Sequence, residues 1–195
     1  MKKFELTSES IVKLGKTLYR IRALVAFGDV KEGELGGFLE KEENLSQDGN
    51  AWVRGSATVS GNAIVSGSAI VRGHATISGS AIVSENAIVS ENATVRENAT
   101  VRGNATVRGY ARVFKTSHYL VIGPMGSRNG FTTFFRTNNL FIGVACGCFR
   151  GNVDEFVKKV KETHGDNKHA KTYLAAAELA KMQIDLTPEE NEPEE

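Results

Sequence analysis

The sequence predicts a mainly β protein: a parallel β-solenoid with an N-terminal β cap and a small C-terminal α+β (βββαα) domain. A six-residue motif, Gly/Glu, Asn/Ser, Ala, any residue, Val, any residue, repeats eleven times over 49–114. Short apolar strands and glycine turns precede it over 1–48, whereas residues 115–186 break the repeat and contain two helical patterns. A strict short period indicates a solenoid, in which each repeat buries its apolar side by stacking on its neighbours.

Within each repeat, side chains alternate, so Ala and Val point inward and the two variable residues point outward. Gly or Asn at the start suits a corner, because both tolerate left-handed backbone conformations. This pattern resembles the hexapeptide-repeat family over all eleven repeats. The resemblance implies a left-handed parallel β-helix of triangular section, with three repeats and therefore eighteen residues in each coil.

An eighteen-residue coil sorts the outward residues into three faces. One face stacks Trp52, Ile70 and Ile88, a second stacks Ile64 and Ile82, and the third stacks threonines. Two apolar ridges beside one polar face predict a homotrimer, because each protomer of a cyclic trimer meets a different neighbour on each of two faces. The expected inter-subunit residues are Trp52, Arg54, Ile64, Ile70, Arg72, Ile82, Ile88 and Arg108. Scattered exposed apolar residues, which are normal on any surface, are the alternative.

The N-terminal segment is expected to cover the open end of the solenoid, with strands over Ser10–Leu14 and Thr17–Phe27 joined at Gly15-Lys16. Residues 17–60 resemble the start of bacterial and prophage β-helical proteins that are labelled as transferases without demonstrated chemistry. We therefore expect a β capping module over 1–48.

The C-terminal segment predicts three strands, His118–Gly123, Phe131–Thr137 and Leu140–Phe149. Two helices follow, the first capped by Asn152 with Glu155, the second by Asp166 or Asn167. The C-terminal segment contains "GSRNGFTTFFRT", "CGCF" and "THGDNKHA", which resemble parts of a small domain of phage and prophage repeat proteins. That domain has no assigned reaction. Cys146 and Cys148 fall on the third predicted strand, where we expect buried free thiols and no metal site.

Charge and hydropathy exclude several classes. The formal net charge is +1, and 187–195 contains five Glu and no basic residue, which predicts a disordered acidic tail. The remaining charge of about +6 is compatible with an anionic ligand and is too weak to predict nucleic-acid binding. There is no long apolar run and no signal peptide pattern, so we expect no membrane segment and a cytoplasmic protein, in the host cell if phage-encoded.

Two segments of the C-terminal domain are candidates for ligand binding. Ser127, Arg128 and Asn129 form a glycine-flanked loop that offers amides, a hydroxyl and a guanidinium to a phosphate or carboxylate. His164, Asn167 and Lys168 lie where the second helix begins, and a helix N-terminus attracts anions. A simple hairpin turn and ordinary helix capping remain the structural alternatives.

The resemblance to the hexapeptide-repeat family also suggests an acyltransferase that uses acyl-CoA, since family enzymes carry a histidine base between protomers. His74 is the one histidine in the repeats. It occupies a corner position without a recognisable partner, so it is a weak candidate for a catalytic residue. CoA would be a cofactor only under this alternative.

We therefore expect a non-enzymatic homotrimer of phage or prophage type, in which the solenoid presents a C-terminal recognition domain. That domain would bind an anionic, phosphorylated or nucleotide-like small molecule, or a host protein, as a counter-defence factor. An acyltransferase and a structural virion or scaffold module remain alternatives.

Overall fold

A computed structural model describes residues 1–189, and the chain divides into two compact units, the first covering Met1–Thr116 and the second beginning at Ser117. The first unit contains β1 (Phe4–Lys13), β2 (Lys16–Ala23) and β3 (Leu35–Leu39), followed by eleven two-residue strands. These are β4 (Trp52–Val53), β5 (Thr58–Val59), β6 (Ile64–Val65), β7 (Ile70–Val71), β8 (Thr76–Ile77), β9 (Ile82–Val83), β10 (Ile88–Val89), β11 (Thr94–Val95), β12 (Thr100–Val101), β13 (Thr106–Val107) and β14 (Arg112–Val113).

The predicted eighteen-residue coil is confirmed. Every pair of stacked solenoid strands is parallel and in register at that offset, as in Trp52↔Ile70 and Ile64↔Ile82. The three faces are the sheets β4-β7-β10-β13, β6-β9-β12 and β5-β8-β11-β14, the last continuing through β3 into β2 and β1. The sorting of outward residues by face is therefore correct, and the chain forms about four coils of a parallel β-solenoid.

The interior of the solenoid is formed by the Ala and Val positions of the repeat. Each of these side chains, from Ala51 to Val113, is fully buried, with Ile77 in place of one Val. A small and a medium side chain alternate along each coil, which fills a narrow interior at the density that folded proteins require. The sequence leaves no inward polar group in the repeat, so chemistry is confined to the outer surface and to the second unit.

The solenoid corners place one residue of each repeat in the left-handed region. Glycine occupies most of these positions, but Glu85, Glu91 and Glu97 also have φ between 59° and 63°. At Gly67, with φ +67°, a Cβ atom would lie 2.8 Å from the amide nitrogen of Glu85 in the next coil. At Gly103, with φ +73°, the nearest atom would be a Glu85 carboxylate oxygen at 3.9 Å. The next coil therefore enforces glycine at the first corner and leaves the second one open.

Each coil donates its amide N–H groups to the carbonyl groups of the following coil, as in Trp52 N to Ala69 O at 3.0 Å. The carbonyl groups of the first coil therefore need donors from outside the repeat. On one face the Phe38 amide donates to the Ala57 carbonyl at 2.9 Å. At the face that contains β6, the side-chain amide of fully buried Asn44 donates hydrogen bonds to Gly61 O at 3.1 Å and to Ala63 O at 2.9 Å.

On the remaining face, the Lys3 ammonium group donates to the carbonyl oxygens of Ala51 at 3.1 Å and Gly49 at 3.4 Å. It also lies over the Phe27 ring, 4.9 Å from the centroid. Burial lowers the pKa of Lys3 to about 8, partly opposed by the charge of Asp48. The first 48 residues thus act as the expected cap by supplying donors to each face of the first coil.

The N-terminal module differs from the prediction in its strand bounds and in the burial of Trp52. β1 and β2 form the predicted hairpin, but β1 already begins at Phe4, β2 ends at Ala23, and the turn is Leu14-Gly15, both at positive φ, rather than Gly15-Lys16. Trp52, expected on an exposed ridge, is only 1% exposed because Phe4 and Phe27 pack edge-on against it, with ring centroids 6.2 and 5.4 Å away. Its side chain does leave the solenoid interior, but the cap of the same chain covers it.

The second unit contains β15 (Tyr119–Met125), β16 (Gly130–Arg136), β17 (Ile142–Cys146), β18 (Phe149–Asn152), α1 (Val153–His164) and α2 (Lys168–Gln183). The four strands form an antiparallel sheet in chain order, and both helices pack on it around Phe134, Phe156 and Ala177. The third predicted strand is divided in two, because Gly147, at φ +56°, turns the chain between β17 and β18.

Helix capping in the second unit follows the prediction. The Asn152 side chain accepts from the amides of Asp154 and Glu155, and Glu155 reaches back to the Asn152 amide. Asn167, rather than Asp166, caps α2. No helix within residues 1–189 is long and apolar enough to cross a membrane.

The start of the predicted acidic tail contacts the second unit. The Thr187 carbonyl accepts a hydrogen bond from buried Arg136 at 3.2 Å, and Glu189 Oε1 lies 3.3 Å from Nε2 of buried His118. These contacts extend the described fold past residue 186. The rest of the predicted tail, 190–195, lies outside the described residues.

Replacing Asn44 tests the capping of the first coil. Asn44→Ala removes both donors to buried carbonyl groups, so we expect the free energy of unfolding to fall by about 2–3 kcal/mol in urea titrations of the full chain. Asn86→Ala, at an exposed solenoid corner, is the matched control and should change it by less than about 0.5 kcal/mol. Equal effects of the two substitutions would contradict this account of the cap.

A pair of glycine substitutions tests the packing of one coil on the next. Gly103→Ala should lower the free energy of unfolding by about 1–2 kcal/mol, the cost of a left-handed alanine. Gly67→Ala carries that cost and also pushes a methyl group into the Glu85 backbone, so we expect a clearly larger loss. The two midpoints, measured by thermal and urea unfolding, would coincide if stacked coils did not constrain the corners.

Candidate functional site

The second unit contains a cavity of about 550 Å³ beside the sheet and helices. Four segments line it: the loop and start of β16 around Ser127 and Phe131, the turn 146–150, one side of α1 from Phe156 to His164, and Tyr173 of α2. The antiparallel order β15-β16-β17-β18 brings the first two segments to the same end of the sheet. The cavity is thus a product of topology, since its segments lie far apart in the sequence.

Aromatic side chains form much of the cavity wall. Phe156 packs edge-on against Phe149, with centroids 5.3 Å apart, and against Tyr173, at 5.7 Å and 90°. Phe131 also lines the cavity and is 39% exposed. Aromatic faces of this kind can contact a flat, apolar part of a ligand.

The charged residues that line the cavity are all cationic. They are Arg128, Arg150 and Lys159, and no carboxylate is among the lining residues that the structure describes. Lys159 lies 3.4 Å from Glu162 in an exposed ion pair, which contributes little stability. The Arg128 side chain makes no hydrogen bond or ion pair to residues 1–189 in this structure, so its five N–H donors are available to an anion.

Tyr173 provides a hydroxyl group in the cavity. Burial is the main cause that raises the pKa of Tyr173 above its ordinary value, and the neighbouring Cys146 thiol raises it further, while the charge of Arg128 opposes both. The phenol is therefore protonated at neutral pH and can donate a hydrogen bond. Thr132 Oγ1 donates to the Cys146 sulfur at 3.1 Å, which holds the thiol in place.

Gly126 fixes the loop against Tyr173. Its φ is +74°, and a Cβ atom there would overlap the Tyr173 hydroxyl group. The His164 ring stacks on the ring of the same tyrosine, with centroids 5.8 Å apart and an angle of 27° between the ring planes. The predicted loop and the predicted helix junction therefore both contact one tyrosine.

The structure brings together three of the six predicted ligand-binding residues. Ser127, Arg128 and His164 line the cavity. Asn129 is exposed in the turn and has a φ of +47°. The Asn167 side chain caps α2 by accepting a hydrogen bond from the Ala170 amide at 3.0 Å. Lys168 is exposed. Asn129, Asn167 and Lys168 do not line the cavity. For Asn167, ordinary helix capping is therefore the role that the structure shows.

Sequence reasoning missed most of the cavity wall. Phe149 falls at the end of the predicted strand Leu140–Phe149, and Tyr173 is not among the predicted ligand-binding residues, yet both line the cavity. The two cysteines were expected to be buried, whereas Cys146 is half-buried, Cys148 is exposed in the turn, and both line the cavity. The glycine between the two cysteines is the signal that indicates a turn there.

The predicted inter-subunit residues differ in how far they are exposed. Arg54 is bound by the N-terminal module of its own chain, 2.7 Å from Asp29 and 3.9 Å from Glu34. Ile64 and Ile82 are 43% and 39% exposed and adjacent on one face. Of the others, Ile70, Ile88 and Arg108 are half-buried, Arg72 is exposed, and Trp52 is buried as described.

His74, the candidate acyltransferase base, is exposed at a corner. Its backbone amide donates to the Glu91 carbonyl at 2.8 Å, while its imidazole makes no hydrogen bond to residues 1–189. Within those residues, no group of three or more His, Cys, Asp or Glu side chains is arranged to hold a metal ion.

Two glycine substitutions test how the loop is held. Gly126→Ala should displace the Tyr173 phenol and lower the thermal midpoint, because φ is positive and the new methyl group overlaps the hydroxyl. Gly130→Ala, where a Cβ meets nothing within 4 Å, is the control and should be nearly neutral. The Tyr173 environment can be followed by near-ultraviolet circular dichroism, and an unchanged signal in Gly126→Ala would refute the contact.

No protein-family model matches this chain, and the comparison with curated proteins finds no match. The cavity in the second unit therefore has to be interpreted from its own geometry and charge.

Proposed function

We propose that this protein binds a small anionic molecule with a planar ring, of the nucleotide type, in the cavity of the second unit, and sequesters it without converting it. The observation that carries the proposal is the combination of aromatic walls with three cationic side chains and no lining carboxylate. A ligand with a flat apolar part and a negative group matches both features. A cavity of about 550 Å³ has the usual size for such a ligand.

Arg128 is the expected anchor of the negative group. A guanidinium binds a phosphate or carboxylate through two parallel hydrogen bonds, and such charge-assisted bonds are stronger than neutral ones. Ser127 adds a hydroxyl group beside it, and Arg150 adds a second positive charge to the lining. A neutral ligand would leave these charges without a function in binding.

The aromatic residues are the expected contacts of the ring. Stacking of a base on an aromatic side chain contributes about 1–3 kcal/mol, and it tolerates different bases. Phe131 is the most accessible of these rings. The hydroxyl of Tyr173, protonated because its pKa is raised, can donate to a ring nitrogen or carbonyl group.

The composition of the lining favours binding over turnover. Proton transfer by His164 would require an acid or base partner that sets its tautomer, and its described ring neighbours are Tyr173 and His169. The absence of a carboxylate from the described lining also leaves no acidic residue to orient a base. Sequestration needs affinity alone.

We also propose that three copies associate through the solenoid, as the resemblance to the hexapeptide-repeat family implies. The support is the exposed pair Ile64 and Ile82 on one face, beside the half-buried pair Ile70 and Ile88 on another. Burial of exposed apolar residues against another copy would stabilise the assembly.

A ligand panel tests the proposed function by isothermal titration. We expect AMP to bind more tightly than adenosine, which lacks the anion, and than ribose 5-phosphate, which lacks the base. Arg128→Ala should weaken AMP binding by about ten- to a hundredfold and leave adenosine binding nearly unchanged. Arg102→Ala, at an exposed arginine of the solenoid outside the predicted inter-subunit set, is the matched control. Native mass spectrometry of the same samples reports the number of subunits and the bound mass.

Absence of binding by all three compounds, or AMP binding that Arg128→Ala leaves intact, would overturn the sequestration proposal. A monomeric mass would overturn only the trimer.

A further inference from the structure

A second cavity lies in the first unit and is independent of the proposed function. It has a volume of about 380 Å³ and lies between the tip of the β1–β2 hairpin and the threonine-bearing face of the solenoid. Lys13, Leu14, Lys16 and Leu18 come from the hairpin side. Hydroxyl side chains dominate the solenoid side, because the first two coils place Thr and then Ser on this face: Thr58 and Ser60, then Thr76 and Ser78.

Lys13 is the central group of this groove. Its ammonium donates to Thr76 Oγ1 at 2.8 Å and to Thr58 Oγ1 at 3.2 Å. No carboxylate of residues 1–189 lies within ion-pair distance of it in this structure. Burial lowers the pKa of Lys13, because the half-buried charge has lost water without gaining an opposite charge.

The two threonine hydroxyls are oriented by this contact. Thr58 Oγ1 also donates to Thr76 Oγ1 at 3.5 Å, so the Thr76 hydroxyl, which accepts from Lys13 and Thr58, keeps its hydrogen to donate elsewhere. The next positions on the face, Ser60 and Ser78, also line the groove, and their hydroxyls make no hydrogen bond to residues 1–189. Asn62 Oδ1 accepts from Lys41 at 3.1 Å, which leaves its amide hydrogens to donate. The groove therefore presents several donors and two cations, Lys13 and Lys16, of which only Lys16 is paired with a carboxylate among the described residues.

The carboxylate that binds the lining residues Lys16 and Gly61 does not cancel this charge. Glu40 lies 2.8 Å from Lys16, and one of its oxygens accepts from the Gly61 amide at 2.6 Å. The hydrogen bond from Lys16, followed by that from Gly61, holds the pKa of Glu40 below its ordinary value. The negative charge of Glu40 is thus stabilised by Lys16 and the Gly61 amide, and it does not neutralise the charge of Lys13.

We propose that this groove is a binding site for the phosphate group of a small phosphorylated polyol, with Lys13 as the cationic anchor and the hydroxyls of Ser60 and Ser78 as donors. An oxyanion would supply the opposite charge that Lys13 lacks. The lining contains no aromatic side chain. A hydroxyl-rich ligand body therefore fits it better than a planar base, which separates this site from the cavity of the second unit.

Nuclear magnetic resonance titration of the full chain with glycerol 3-phosphate tests the proposal. We expect saturable shifts of the amides around Gly61 and Gly79, weaker ones with inorganic phosphate, and none with glycerol. Lys13→Met should weaken glycerol 3-phosphate binding by about tenfold or more. Ser78→Ala should weaken it by a smaller factor, and this small change of a half-buried surface hydroxyl preserves the fold if Lys13→Met does not.

The matched control is Ser84→Ala, which has the same position in the repeat on another face and should bind as the wild type does. Arg128→Ala should also leave these shifts unchanged, so failure at this groove is distinguishable from failure of the second-unit site. Absence of saturable shifts with either phosphate compound would overturn the proposal. So would binding that neither Lys13→Met nor Ser78→Ala weakens.

Discussion

Satisfaction of backbone hydrogen bonds between coils is the constraint on which the first unit depends. Each coil uses its carbonyl groups to accept from the coil before it, so the series has a first member whose carbonyl groups would face nothing. Lys3, Asn44 and β3 supply these donors from three different points of the first 48 residues. Because an unpaired buried carbonyl is costly, the capping segment and the first coil must fold together.

The same arrangement separates structural from functional positions in the repeat. The inward Ala and Val residues are fully buried and interchangeable in kind from coil to coil. The outward positions differ between faces, and these differences produce the apolar pair Ile64 and Ile82 and the hydroxyl face opposite the hairpin. Variation on the outside is inexpensive because the stability of each coil comes from the inside and from the backbone.

Local sequence patterns predicted the elements well and the cavities poorly. The period of the repeat determined strand register and the three faces, and the Asn152–Glu155 pair located the start of α1. Trp52 could not be placed, since its burial depends on Phe4 and Phe27, which are distant in the sequence. The lining of the second-unit cavity likewise depends on a sheet that brings residues 127–131 next to 146–150. Only the basic loop and His164 carried a local signal.

The three corner glutamates have a further consequence for association. They are the consecutive corners of a single coil near the end of the repeat, and the carboxylates of Glu85 and Glu91 extend to the backbone of Gly103 and Gly109 in the next coil. Rods with open strand edges tend to polymerise end to end. Carboxylates at these corners, one of them 3.8 Å from Arg96 of its own chain, would make this level of the solenoid an unfavourable surface for stacking on a second copy.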